Sequence, residues 1–91
     1  MHLTTEQIET ITDMAYRLIE PSLIAINIGV DEFEFRQEIK LDGSLVRNAF
    51  YKGYTRQLIE TREAIIKSAR NGSNPSIAMM IRLINQTNNY L

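Results

Sequence analysis

The sequence predicts an all-α protein of about five helices. Its 91 residues suit a single domain, and only four glycines and two prolines interrupt them, which leaves few obligatory turns. Apolar residues recur at three- and four-residue steps along much of the chain, which is the period of an amphipathic helix. The apolar content of 44% and charged content of 23% are those of an ordinary globular chain.

The first two helices are predicted to meet at Pro21. Thr4 or Thr5 can cap helix one, which is expected to run for about four turns. Its apolar positions are Ile8, Ile11, Ala15, Leu18 and Ile19. Because proline disrupts a helix interior but suits an opening turn, Pro21 starts a second helix that should end near Ile28.

A helix-turn-helix is predicted over residues 21–40. Gly29 supplies the unhindered backbone for a tight turn, and Asp31 can cap a third helix that ends between residues 40 and 43. Ala25, four residues before Gly29, is the small residue that a close helix crossing needs. The positions expected to face inward are Ile24, Ile28, Val30 and Phe35.

Ser44 is expected to cap the fourth and longest helix. Its apolar stripe consists of Phe50, Tyr54, Leu58, Thr61, Ile65 and Ala69. Its polar face consists of Lys52, Arg56, Glu60, Glu63, Lys67 and Arg70. Asn71 and Gly72 should end this helix, and Asn74 should cap a fifth one that starts at Pro75. We expect that helix to fray over residues 85–89.

The fifth helix carries a broad apolar face, which favours contact with the long helix or with another subunit. Residues 1–43 are accordingly interpreted as a helix-turn-helix portion and residues 44–91 as a long helix plus a C-terminal oligomerisation helix, together in one compact domain.

The two halves of the chain have opposite charge. Residues 1–42 have a net charge of −6, and residues 43–91 have a net charge of +5. A polyanion should prefer the second half, and opposite halves also permit head-to-tail contact between subunits.

Catalytic and metal sites are not expected. The chain has no cysteine and a single histidine, His2, so neither a thiolate nor an imidazole metal site can form. Ser44 and Ser73 are interpreted as turn and cap residues, and no residue set suggests an enzyme or a cofactor. No apolar stretch reaches the roughly 18 residues of a membrane span, which favours a cytoplasmic protein.

Four short segments, taken in order, resemble one family. They are residues 23–31 (LIAINIGVD), Phe35-Arg36, residues 49–53 (AFYKG) and residues 71–76 (NGSNPS). This order resembles the helix-turn-helix proteins of phages and prophages related to the terminase small subunit, and the resemblance covers most of the chain between Leu23 and Ile84. It implies an oligomeric subunit in a bacterial host cell that recognises double-stranded phage DNA for packaging, with a large terminase-type subunit as a further partner.

Helix three would then be the recognition helix. Residues that can contact DNA are Glu32, Phe33, Arg36, Gln37 and Lys40 on this helix, and Arg47, Tyr51, Lys52 and Arg56 on the next. Residues 31–40 have a net charge of −2, however, which repels phosphate. Two functions therefore stay open: DNA binding, or a protein-binding adaptor or assembly subunit that keeps the helix-turn-helix as a scaffold without DNA affinity.

Overall fold

A computed structural model describes residues 1–91 and contains five α-helices and no strand, which confirms the all-α prediction. The helices are α1 (Thr5–Tyr16), α2 (Pro21–Ile28), α3 (Glu32–Lys40), α4 (Leu45–Arg70) and α5 (Asn74–Asn88). None of them combines the length and the apolar character needed to cross a bilayer. The chain forms two compact units, Met1–Gln57 and Leu58–Leu91, so the boundary between them falls within α4.

Helix α1 begins as predicted and ends earlier than predicted. Thr4 is its N-cap, and a reciprocal pair of hydrogen bonds with Gln7 closes a capping box. The helix stops at Tyr16, because Leu18 adopts the left-handed conformation with φ of 63°. The amides of Leu18 and Ile19 then donate to the carbonyls of Ala15 and Met14, which is a Schellman motif. Assigning Leu18 to the apolar stripe was therefore wrong, and its side chain is exposed.

The turn between α2 and α3 has the predicted form. Helix α2 has the predicted bounds, and Gly29 ends it in the left-handed conformation with φ of 79°. A Cβ at Gly29 would meet no neighbour, so glycine is needed here for its backbone angle and not for space. Asp31 caps α3, because its carboxylate accepts a hydrogen bond of 2.8 Å from the amide of Glu34. The predicted bend at Gly29 is confirmed.

The core of the first unit draws on four helices. Its buried members are Ile11 and Ala15 of α1, Ile24 and Ala25 of α2, Phe35 and Ile39 of α3, and Val46, Ala49 and Phe50 of α4. Ala25 and Phe35 are fully buried, as the helix-turn-helix prediction requires. Because Phe35 and Ile39 point inward, the opposite side of α3 faces outward.

Helices α1 and α4 touch backbone to backbone at Gly53. A Cβ on Gly53 would overlap the carbonyl oxygen of Thr12. One turn earlier in α4, the carbonyl oxygen of Ala49 accepts a 3.1 Å hydrogen bond from the Thr12 hydroxyl. The sequence pattern had marked Gly53 only as part of the family resemblance, and its role in this close crossing comes from the structure.

Side chains from other helices close the C-terminal ends of α1, α2 and α3. The last carbonyls of a helix have no partner within it and need one elsewhere. Here the carbonyl oxygens of Tyr16, Ile28 and Ile39 accept hydrogen bonds from Gln57 (2.8 Å), Gln7 (3.0 Å) and Arg47 (2.8 Å), respectively. We call these three bonds the cross-helix caps.

Gln7→Glu should lower the free energy of unfolding by about 1 kcal/mol, the usual net value of one hydrogen bond. Glutamate can still accept from the amide of Thr4 and is itself a capping-box residue, but it cannot donate to the carbonyl of Ile28. Thermal unfolding followed by circular dichroism measures the change. Thr5→Glu is the control, because it adds the same charge to the same turn and removes no side-chain hydrogen bond. A stability gain from Gln7→Glu would show that the bond to Ile28 contributes nothing.

Helix α4 starts as predicted, with the Ser44 hydroxyl accepting from the amide of Arg47 at 3.0 Å. Its expected apolar stripe is interrupted, because Thr61 is exposed, whereas Phe50 and Ala69 are buried. The helix ends at Arg70, as the Asn71 and Gly72 signal indicated, and Gly72 has φ of 92°.

Both ends of α5 differ from the prediction. Its N-cap is Ser73 and not Asn74, because the Ser73 hydroxyl accepts from the amide of Ser76. The helix also continues through Asn88, so the expected fraying from Asn85 onward was wrong. Polar side chains do not prevent this continuation, since the Thr87 hydroxyl donates to the carbonyl of Leu83 within the helix. No residue of α5 is buried.

Candidate nucleic-acid interface

The structure places all five residues predicted on α3 at the protein surface, with Glu32 at the start of the helix and the other four on its outward side. Glu32, Phe33, Arg36, Gln37 and Lys40 are exposed. Two observations fix this orientation: the buried Phe35 and Ile39 hold the other side of the helix, and Asp31 caps its start.

A shallow depression on this side brings four of the five residues together. Its lining residues are Pro21, Phe33, Arg36, Gln37, Ile39 and Lys40. We call Phe33, Arg36, Gln37 and Lys40 the α3 surface. A guanidinium can bond the acceptor pair of guanine, and a side-chain amide can bond the donor and acceptor of adenine. The α3 surface therefore has groups that can recognise base edges, whereas Glu32 is not part of its depression.

Charge is unevenly distributed along α3. Asp31, Glu32 and Glu34 occupy the cap and first turn, where carboxylates stabilise a helix through its dipole. The same carboxylates repel phosphate. The second half of the helix carries Arg36 and Lys40 against the half-buried Glu38, which leaves it a net charge of +1. A polyanion would therefore approach α3 more favourably from its C-terminal half.

Arg47 holds the end of α3 against α4. Its Nη1 donates to the carbonyl oxygen of Ile39 at 2.8 Å, and its Nε lies 3.8 Å from the Asp42 carboxylate. Its guanidinium carbon also lies 4.9 Å from the centre of the Tyr51 ring, which is cation–π geometry. Sequence reasoning identified Arg47 as a basic group for phosphate and missed this positioning contact, because nothing local signals which carbonyl a distant arginine will reach.

Tyr51 belongs to an aromatic cluster beside Arg47. Its ring meets the rings of Phe50 and Tyr54 edge to face, with centroid distances of 5.4 Å and 6.3 Å. Phe50 is buried, while Tyr51 remains partly exposed. Tyr51 is therefore anchored by the core at the edge of α4 that carries Arg47.

Lys52 and Arg56 lie on another side of α4. At about 100° per residue, Lys52 is about 140° around the helix from Arg47. Lys52 lines a separate groove between α1 and α4, where Glu9 and Asp13 are also found. The predicted DNA-binding residues thus fall on two surfaces, and the structure does not bring Lys52 into the depression that contains Arg36.

The outer side of α2 is apolar. Leu23 and Ile26 are 48% and 59% exposed, next to the exposed Asn27. In a DNA-bound helix-turn-helix the first helix crosses the phosphate backbone, where donors are needed. These two side chains can donate no hydrogen bond. Sequence reasoning singled out neither for function, although their position opposite Ile24 and Ile28 could have indicated it.

Comparison of the chain with protein-family models, with curated proteins and with solved structures gives no match. The geometry and the charge of the α3 surface are therefore the basis on which a function is proposed.

Proposed function

We propose that this protein binds double-stranded DNA through its helix-turn-helix, with α3 in the major groove, as expected for a terminase small subunit-like protein of phage or prophage type. One observation carries the proposal. Arg36 and Gln37 are adjacent and exposed on α3. Phe35 anchors the inward face of this helix in the core, Asp31 caps its start, and Arg47 bonds to a carbonyl near its end. Rigid presentation of this kind favours base contacts, because little side-chain and backbone freedom is lost on binding.

Within this proposal, the residues of the α3 surface have different roles. Arg36 and Gln37 contact base edges, and Lys40 contacts a phosphate. Since α3 begins with acids and has few cations, one copy binds weakly, and several copies on one DNA molecule supply the affinity. This requirement agrees with the oligomer that the resemblance implies, and the resemblance further implies a large terminase-type partner.

Arg36→Gln combined with Lys40→Gln should weaken binding to duplex DNA by about tenfold or more at about 50 mM salt. The change removes a base contact and a phosphate contact, so the slope of log affinity against log salt should also become shallower by about one. Fluorescence anisotropy with a labelled duplex of mixed sequence, repeated across a salt series, measures both quantities.

The matched control is Arg17→Gln combined with Arg82→Gln, which removes the same charge from exposed positions that do not belong to α3. An equal loss in this control would mean that overall charge, and not the α3 surface, drives binding.

Glu32→Gln combined with Glu34→Gln makes the opposite change, because it removes negative charge from the start of α3. It should strengthen binding if α3 approaches phosphate, and no effect would contradict that approach.

A second candidate is a protein-binding adaptor or assembly subunit without DNA affinity. Two observations favour it: Leu23, Ile26 and Phe33 are exposed apolar side chains, and the start of α3 is acidic. Exposed apolar groups beside acids suit a protein partner with a basic rim. Absence of duplex binding by the unaltered protein at low salt would reject the DNA proposal and favour this one.

A further inference from the structure

The second unit, Leu58–Leu91, has little buried core of its own. It consists of the C-terminal part of α4 and of α5, and Ala69 is its one buried residue. Units below about 40 residues usually need a disulfide, a metal or association to be stable, and this chain has no cysteine. Association is therefore the most direct way for this unit to bury its apolar side chains.

Three isoleucines form an apolar stripe along α5. Ile77, Ile81 and Ile84 are spaced by four and then three residues, so they lie on one side of the helix. They are 36%, 52% and 52% exposed. We call them the isoleucine stripe.

The isoleucine stripe is not the side by which α5 packs on α4. That side carries the half-buried Ser76, Met80 and Leu83, and the hydroxyls of Ser76 and Ser68 are 2.8 Å apart. A shallow groove runs beside the stripe and is lined by Arg62, Ile66, Met80, Leu83, Ile84, Thr87 and Asn88. The C-terminal part of α4 and α5 form a helical hairpin, and the stripe lies as a ridge beside the groove on one face of this hairpin.

The chemistry of this face suits a second copy of the same hairpin. In a two-fold symmetric interface both copies use the same surface patch, so a patch whose charges all share one sign would repel itself. Arg82 is the single charged residue of α5, and it lies about 100° to 160° around the helix from the three isoleucines. The neighbours of the stripe on α5 are the neutral Asn74 and Asn85, so α5 itself places no charge beside the stripe; Arg62 of α4 lines the adjacent groove.

The spacing of the stripe supports the same partner. Four residues after Ile84, the same side of α5 carries Asn88. Positions 77, 81, 84 and 88 are thus separated by four, three and four residues, which is the spacing of the contact positions in paired helices. A single asparagine on such a seam can fix the register of identical helices. We propose that two copies pair through the isoleucine stripe, so that the C-terminal part of α4 (residues 58–70) and α5 of both copies form a four-helix bundle. This pairing does not require DNA, so its test and the DNA titration can fail separately.

The mass of the full chain in solution tests the pairing. Light scattering at a concentration of about 100 μM should give about twice the chain mass of 10.5 kDa. Ile81→Glu combined with Ile84→Glu should weaken association by about 100-fold or more, because charges would replace two apolar contacts. Met79→Glu is the matched control, since Met79 is an exposed apolar residue on the opposite side of α5, and it should leave the mass unchanged.

Cross-linking gives a second measurement that does not depend on the glutamate variants folding. Because the chain has no cysteine, Ile81→Cys introduces a single thiol, and oxidation should join two copies covalently. Met79→Cys should not cross-link. A monomeric unaltered protein, equal effects at positions 79 and 81, or a mass above two chains would overturn pairing through the stripe. The last result would favour head-to-tail assembly.

Discussion

Phe35→Ala should lower the free energy of unfolding by about 4 kcal/mol, within the range of about 3 to 5 for removing a buried phenylalanine. Phe35 is 0% exposed and is among the largest fully buried side chains of the protein. It joins α3 to residues of α1, α2 and α4 in one core. Urea unfolding followed by far-ultraviolet circular dichroism measures the loss.

The control for this prediction is Phe33→Ala, two residues away on the same helix. Phe33 is 65% exposed, so its removal should change stability by less than about 1 kcal/mol. The comparison also tests the DNA proposal, because the burial of Phe35 sets which side of α3 faces outward. Equal losses for the two phenylalanines would mean that Arg36 and Gln37 are not presented as described.

Gly53→Ala should destabilise the protein by about 3 kcal/mol, the upper part of the usual range for overpacking. In an exposed helix the same change is stabilising by about 1 kcal/mol, because alanine is the better helix former. Here the added methyl group overlaps the backbone carbonyl of Thr12, and backbone cannot rotate away as a side chain can. Helices α1 and α4 must separate, which also strains the bond from Thr12 to Ala49.

Thr55→Ala is the matched control for Gly53→Ala. Thr55 is exposed on α4, two residues further along, and its replacement by alanine should be neutral or slightly stabilising. Thermal unfolding of both variants gives the comparison. A gain in stability from Gly53→Ala would contradict the close crossing of α1 and α4.

The helix-turn-helix could be predicted from sequence because its signals are local. Pro21, Gly29 and Asp31 each act through their own backbone angle or cap, and the structure confirms all three. The end of α1 could not be predicted in the same way. Leucine rarely adopts positive φ, so Leu18 gives no signal that a helix stops before it.

The candidate site was only partly predictable, because local sequence patterns indicate which residues face outward but not which distant residues they contact. The period of α3 indicates which of its residues face outward, so the exposure of Arg36 and Gln37 follows from the sequence pattern. The contact of Arg47 with Ile39 and the separate location of Lys52 depend on how α4 packs against α3 and α1. That packing is set by long-range contacts such as Gly53 on Thr12, which no local pattern encodes.

The cross-helix caps have a consequence for how the helix-turn-helix can be used. Gln7 and Arg47, which complete the ends of α2 and α3, lie outside residues 21–40. A peptide of those residues alone would leave both ends open to fraying and would lose the inner faces of α1 and α4 as well. Residues 21–40 are thus not an independent structural unit: in another scaffold they would need the helices that carry Gln7 and Arg47.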